Sequence, residues 1–267
     1  MDESSKAPQS MFRRKKFACA IAVLILIAGG LGIICQVSCW HSTRTLIAGK
    51  EREAAAAISK LGGSVSFSDE PSKDNPEGKP PGPILLRKIF GDKFYVTAQH
   101  ATVINDEGMK YLDDLPHLRE LVLRGDGVTN VGMRHVKGCC LLTLLQLWDT
   151  AVDDEGMQYV DGSIPLEHLY ISSSRITDAG LAPVRSLSNL WELYLNGDRF
   201  TGVGLGELRG LKNLYSISLH GPGIDDTSLE YLEPLTQVRS LNLEGTRVTE
   251  QGRAKLHQIL LKCRIDP

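Results

Sequence analysis

The sequence has no CxxC pair and no His or Cys at the spacing of a zinc site, so it carries no signal for a structural metal. Its six cysteines make no disulfide scaffold, because Cys19 and Cys35 lie inside a long apolar run and Cys39 at its edge. Of the rest, adjacent Cys139 and Cys140 are expected to point one side chain into a core and one out of it. A disulfide to Cys263 is open in an oxidising compartment, but Cys263 lies far from that pair in the arrangement derived below. Catalytic signatures are missing too. The seven histidines, His41, His100, His117, His135, His168, His220 and His257, include no HExxH or similar pairing. Gly-x-Ser-x-Gly elbows, Walker-type loops and dinucleotide fingerprints are absent. The expectation is no enzyme, no cofactor and no metal. With a formal net charge of -2, the chain has no general pull toward nucleic acid either.

Hydrophobic residues make up 42% of the 267 positions, enough for a buried core and too many for wholesale disorder. Four cations, Arg13, Arg14, Lys15 and Lys16, directly precede the charge-free run "FACAIAVLILIAGGLGIICQVSCW". A bilayer crossing needs about 20 apolar residues as a helix, and this run supplies them. The apolar region of a cleaved signal peptide is usually shorter, and lipidation at Cys39 has Gln36 where such motifs usually want leucine. Residues 1–16 are therefore read as a basic cytoplasmic tail and 17–39 as a single transmembrane anchor. The positive-inside rule then puts everything after Trp40 outside the cytoplasm.

Residues 40–93 read as a spacer. Within it, 44–61 form a short helix favoured by an alanine run and stopped at Gly62-Gly63, and Asp69 to Pro83, "DEPSKDNPEGKPPGP", form a loop or linker. The main domain is expected to span 94–267.

From Leu118 onward the chain falls into lines of 24 residues without insertion, beginning "LRELVL", "LTLLQL", "LEHLYI", "LWELYL", "LYSISL" and "VRSLNL". All eighteen places of the pattern apolar-x-x-apolar-x-apolar hold Leu, Ile or Val. At a 42% hydrophobic fraction, chance would give this roughly once in 10⁷ trials. Further columns agree: a bulky apolar residue at Ile104, Val128, Val152, Ile176, Phe200, Ile224 and Val248, and glycine at Gly108, Gly132, Gly156, Gly180, Gly204 and Gly252, with Ser228 the exception. Apolar places 1, 4 and 6 suit a short strand, and the later ones, spaced by three, suit a short helix on the opposite side. One such unit cannot bury its own apolar edge, whereas a stack of them can, which makes the chain a solenoid.

The line "LEHLYISSSRITDAGLAPVRSLSN", Leu166 to Asn189, resembles the leucine-rich repeat subclass LxxLxLxxTxITDxGLxxLxxLxx, frequent in bacterial membrane-anchored proteins. That resemblance implies an α/β, right-handed coil with a parallel sheet on its concave face and short helices on its convex face. The first line, from Phe94, keeps the helix half but not the strand pattern, and the last has Arg253 where leucine is expected; both read as end caps. At the place where such repeats put a side chain that bonds neighbouring turns, Pro222 predicts the weakest turn.

Acidic or polar pairs precede each glycine, as in Asp153-Asp154 and Asp225-Asp226. They are read as helix N-caps, not as metal or catalytic loops, because the acids lie one repeat apart and a calcium site needs six or more oxygens around one point. The resemblance also places the x residues of LxxLxLxx on the concave face. There the middle lines concentrate aromatic residues, giving the candidate binding residues Trp148, His168, Tyr170, Trp191, Tyr194, Tyr215 and His220. Aromatic enrichment on an exposed face is how protein interfaces anchor. The expected function is a membrane-anchored protein–protein interaction module. A glycan-binding envelope protein using the same patch is the alternative, and a metal-dependent hydrolase a remote one.

Overall fold

The computed structural model describes residues 46–68, 97–172 and 175–267. The basic tail, the predicted anchor at 17–39 and the Pro/Gly-rich segment at 69–83 lie outside them. Among the described residues, no helix is long and apolar enough to cross a membrane.

Nine strands form one sheet whose order is the order of the chain. They are β1 Ser64–Phe67, β2 Ala98–Val103, β3 Glu120–Arg124, β4 Leu144–Trp148, β5 His168–Ser172, β6 Glu192–Asn196, β7 Ser216–His220, β8 Ser240–Asn242 and β9 Arg264–Asp266. β1 pairs antiparallel with β2, and every later pair is parallel. From β3 onward the register advances by one repeat per strand, so Glu120, Leu144, His168, Glu192, Ser216, Ser240 and Arg264 lie side by side.

That register turns the sequence columns into rows of contact. Leu121, Leu145, Leu169, Leu193, Ile217 and Leu241 are all buried, as are Val128, Val152, Ile176, Phe200, Ile224 and Val248. Both rows belong to one continuous core. Each inward leucine gains on the order of 2 kcal/mol from burial, but only where neighbouring lines cover it. Cys139 is buried in this core and Cys140 is exposed, as adjacent residues on opposite sides must be.

The side opposite the sheet carries less regular helix than the resemblance implies. Asp106–Met109, Asn130–Met133 and Asp154–Met157 are single α turns, while Asp178–Ser186, Val203–Gly210 and Asp226–Tyr231 are 3₁₀ segments. A line of 24 residues leaves little chain for a helix after its strand and turns. Pro183, inside Asp178–Ser186, also lacks the N–H that α geometry would use. The last line differs, with ten helical residues at Glu250–Ile259 before β9 extends the sheet.

One expectation about the beginning of the domain needs correction. The first line does have its strand: Ala98, Ala101 and Val103 are buried at the three inward places, but Ala101 pairs with Leu121, a step of 20 residues instead of 24. The four-residue turn that follows the other strands is missing, so Val103 is both the last inward strand residue and the residue packed beneath Gly108. Ile104, assigned to that inner column, is 38% exposed. Reading every line at one fixed phase hid the pattern.

The compact unit that holds the repeats starts at Leu46. Residues 46–60 are helical and bury Ala54 and Ile58 in the core shared with the first lines. Glu51 of this helix is wholly buried. Its carboxylate accepts from the Ala98 amide at 3.3 Å and meets His117 Nδ1 at 2.7 Å. A buried carboxylate so held pins the helix as an N-terminal cap, where a free spacer would leave it in water.

Candidate partner-binding surface

Along the strands, side chains alternate between core and open face. On β4, for instance, Leu145 and Leu147 are buried, while Leu144, Gln146 and Trp148 face out and stay part-exposed. The same alternation on β5, β6 and β7 brings outward residues of successive lines beside one another.

All seven candidate residues are joined there by ring contacts. Tyr194 sits at a hub, with centroid distances of 5.9 Å to Trp148, 6.1 Å to Tyr170 and 5.0 Å to His220, all tilted by about forty degrees. His168 lies parallel to Tyr170 at 6.5 Å and edge-on to Trp191 at 5.7 Å. Trp191 in turn stacks on Tyr215 at 5.1 Å and 5°. These last two are the most open, at 43% and 44% exposure. Tilted and offset pairs are the favoured aromatic geometries, so the rings brace each other.

Polar groups tie the patch together. Trp148 Nε1 donates to Gln146 Oε1 at 2.8 Å. Tyr170 donates its hydroxyl to Glu192 Oε2 at 2.6 Å, and His168 Nδ1 meets the same oxygen at 3.0 Å. Burial, and then this carboxylate, push the Tyr170 hydroxyl well above the ordinary tyrosine value, so it stays a protonated donor. Glu192 was not among the residues singled out from the sequence. It shares its column with a second register-paired histidine and carboxylate, His100 and Glu120. That pairing is readable only once the strand register is known. Asp149, directly after Trp148, takes φ +53, and of the glycines at equivalent places Gly125, Gly221 and Gly245 also take positive φ.

The acidic pairs form a different structure. The first member of nearly every pair caps its own helix: Asn105 accepts from Gly108, Asp153 from Glu155 and Asp225 from Thr227, each at 2.9 Å. The second member, which the sequence reading assigned to the same cap, reaches back to the next line instead. Asp106 accepts from the Thr129 amide at 2.8 Å and its hydroxyl at 2.6 Å; Asp154 does the same for Thr177 at 2.8 and 2.7 Å, and Asp226 for Thr249 at 2.8 and 2.7 Å. Asn130 serves both ways, accepting from the Asp153 amide at 3.1 Å and donating to its carboxylate at 2.7 Å.

This ladder accounts for the glycine column. A Cβ on Gly132 or Gly180 would come within 2.5 Å of the carboxylate of Asp106 or Asp154. At one junction the roles are exchanged. Gly202 has no side chain to offer, so its line lacks the rung, and the next line holds Ser228 in place of glycine. Ser228 Oγ donates to Thr201 O at 3.1 Å and accepts from the Asp225 amide at 3.2 Å. A Cβ on Gly202 would collide with it.

The acids' oxygens are thus engaged with backbone and hydroxyl donors. Among the described residues, no three His, Cys, Asp or Glu are grouped to hold a metal ion. At the turn expected to bond neighbouring lines through a side chain, the Thr150 hydroxyl is buried without a partner and the Thr246 hydroxyl donates within its own turn to Leu243 O at 2.6 Å, while the bonds between lines run through backbone groups such as the Asp149 amide to Ser172 O.

Residues 162–184, which contain β5 and part of the following 3₁₀ segment, match a family model described as "Leucine Rich repeat". The chain is similar to leucine-rich repeat proteins. Its six 24-residue lines carry the strand and core pattern of the matched segment through the sheet. A leucine-rich repeat protein of Leptospira interrogans is similar in structure over 59% of this chain and 57% of its own, at 16% identity and a TM-score of 0.30. This chain therefore spans little more than half of that structure. A search of curated proteins finds no match.

Proposed function

We propose that the open face of strands β4 to β7 is the partner-binding surface of a non-catalytic protein–protein interaction module. The observation that carries this reading is the single network of seven rings on one face of a sheet whose other face is fully packed. Leucine-rich repeat domains generally mediate protein–protein interaction, which supports it. Rings fixed by their neighbours lose little side-chain freedom on binding, so most of the contact energy is available for affinity. The apolar run at 17–39, preceded by four cations, supports a membrane-anchored module held outside the cytoplasm.

A glycan is the second reading, favoured by the half-open stacked pair Trp191 and Tyr215. The test is affinity capture with the full-length protein and its Trp148→Ala/Tyr194→Ala variant. A protein retained by the first and lost by the second, with circular dichroism unchanged, supports the reading. Equal capture by both sinks it. Protease added to intact cells tests the anchor: survival of the repeats where a control is cut would place them inside.

A further inference from the structure

Within the ring network stands a carboxylate without a full complement of partners. Glu192 holds the first outward place of β6, beside His168 of β5, with a side-chain exposure of 28%. Its Oε2 takes both neighbouring bonds, from Tyr170 and His168, while its Oε1 takes none from the described residues. Across the register it faces His168 on one side and Ser216 on the other. The outward places of these four strands hold no lysine or arginine. The cation–ring contacts of the described residues, Arg52 on Phe67 and Lys137 on Tyr159, lie off the patch. The face therefore offers electron-rich ring faces and a part-buried carboxylate whose one ion-pair partner is the His168 imidazole, with no lysine or arginine beside it on these strands.

Charge complementarity selects the occupant. We infer that this face takes a guanidinium side chain of a protein partner, held by Glu192 Oε1 and laid against the rings around Tyr194. The inference rests on the binding face proposed above and names its chemistry. A guanidinium suits the site on two counts: it bonds a carboxylate through a planar fork, and it stacks on aromatic faces. Tyr170 contributes indirectly. By donating to Oε2 it leaves Oε1 as the open acceptor, and it positions the carboxylate among the rings.

Penta-arginine and penta-citrulline peptides, alike in shape but differing in charge, test this on the full-length protein by calorimetry at physiological salt. The arginine peptide binds saturably and the citrulline peptide about tenfold more weakly, the loss expected when a partly desolvated charge pair is removed. Glu192→Gln lowers arginine-peptide affinity by a similar factor of about ten. Tyr170→Phe, which keeps ring and carboxylate, changes it by less than about threefold. If Glu192→Gln unfolds the protein, the arginine-versus-citrulline comparison still decides, repeated on the Trp148→Ala/Tyr194→Ala variant, where the preference for arginine should disappear. Equal binding of the two peptides, or unchanged arginine-peptide affinity in a folded Glu192→Gln protein, overturns the inference. The failure is separable from that of the binding face: a partner lost by Trp148→Ala/Tyr194→Ala but retained by Glu192→Gln leaves the face standing and removes the guanidinium.

Discussion

Removing the Asp154 carboxylate should uncouple two adjacent repeats. In the native chain it accepts from the Thr177 amide at 2.8 Å and the Thr177 hydroxyl at 2.7 Å, so Asp154→Ala leaves two donors of the next line without an acceptor. Bonds to a charged acceptor contribute about 1.5–3 kcal/mol each when buried, but both residues here are only part-buried and water can replace the acceptor. A figure of about 1 kcal/mol per bond, or about 2 kcal/mol in all, follows. For a domain of this size that lowers the melting temperature by about 4–8 °C. The assay is urea and thermal unfolding of the full-length protein followed by circular dichroism, arranged as a double-mutant cycle with Thr177→Val. The hydroxyl bond is lost in either single variant, so the pair should show a coupling of about 1 kcal/mol. Asp198→Ala, at an exposed turn, is the control and should cost less than about 0.5 kcal/mol. A cost for Asp154→Ala no greater than this control, or strict additivity with Thr177→Val, would refute the ladder as a stabilising element.

Two further outcomes follow from the same geometry. Asp149 adopts a left-handed backbone where sister lines use glycine, so Asp149→Gly should raise unfolding stability by about 1 kcal/mol, measured by urea midpoint; a loss of stability would contradict the assignment. The carboxyls of Asp153, Asp161 and Asp225 are held below the ordinary 3.8, chiefly by hydrogen bonds from the side chains of Asn130, Ser163 and Thr227. A lowered native value stabilises the fold above the unfolded value, and that stabilisation is lost as pH falls through the native one. The stability difference between native protein and Asp153→Asn should therefore be constant above about pH 5 and shrink below about pH 4; a difference that grows on acidification would reverse the sign.

The repeat period and the inward rows were legible because each depends on spacing alone, and the outward aromatic cluster because the resemblance to leucine-rich repeats adds which places face out. A 24-residue recurrence fixes which residues become strand neighbours, and alternation fixes which face they occupy. What spacing could not show was where a side chain reaches. Asp106 and Asp154 look like helix caps in one line and act as acceptors for the next, because their geometry depends on the stacking of repeats. The first strand was hidden by a missing four-residue turn, which shifts Ala98, Ala101 and Val103 out of phase while leaving Gly108 in phase. The helix at 46–60 was legible at 44–61, but its packing on the repeats was obscured for a similar reason. Its buried Glu51 reads as a surface residue until its long-range partners, Ala98 and His117, are in place. Glu192 needed both levels, since only the register puts His168 beside it and only the ring network gives its carboxylate a setting.

The central claim is that the aromatic face of β4 to β7 binds a protein partner. Its most direct measurement is the affinity of a captured partner for the full-length protein and for the folded Trp148→Ala/Tyr194→Ala variant. Loss of two central aromatic anchors predicts a drop of about a hundredfold or more. Affinities within about twofold of each other would contradict the claim.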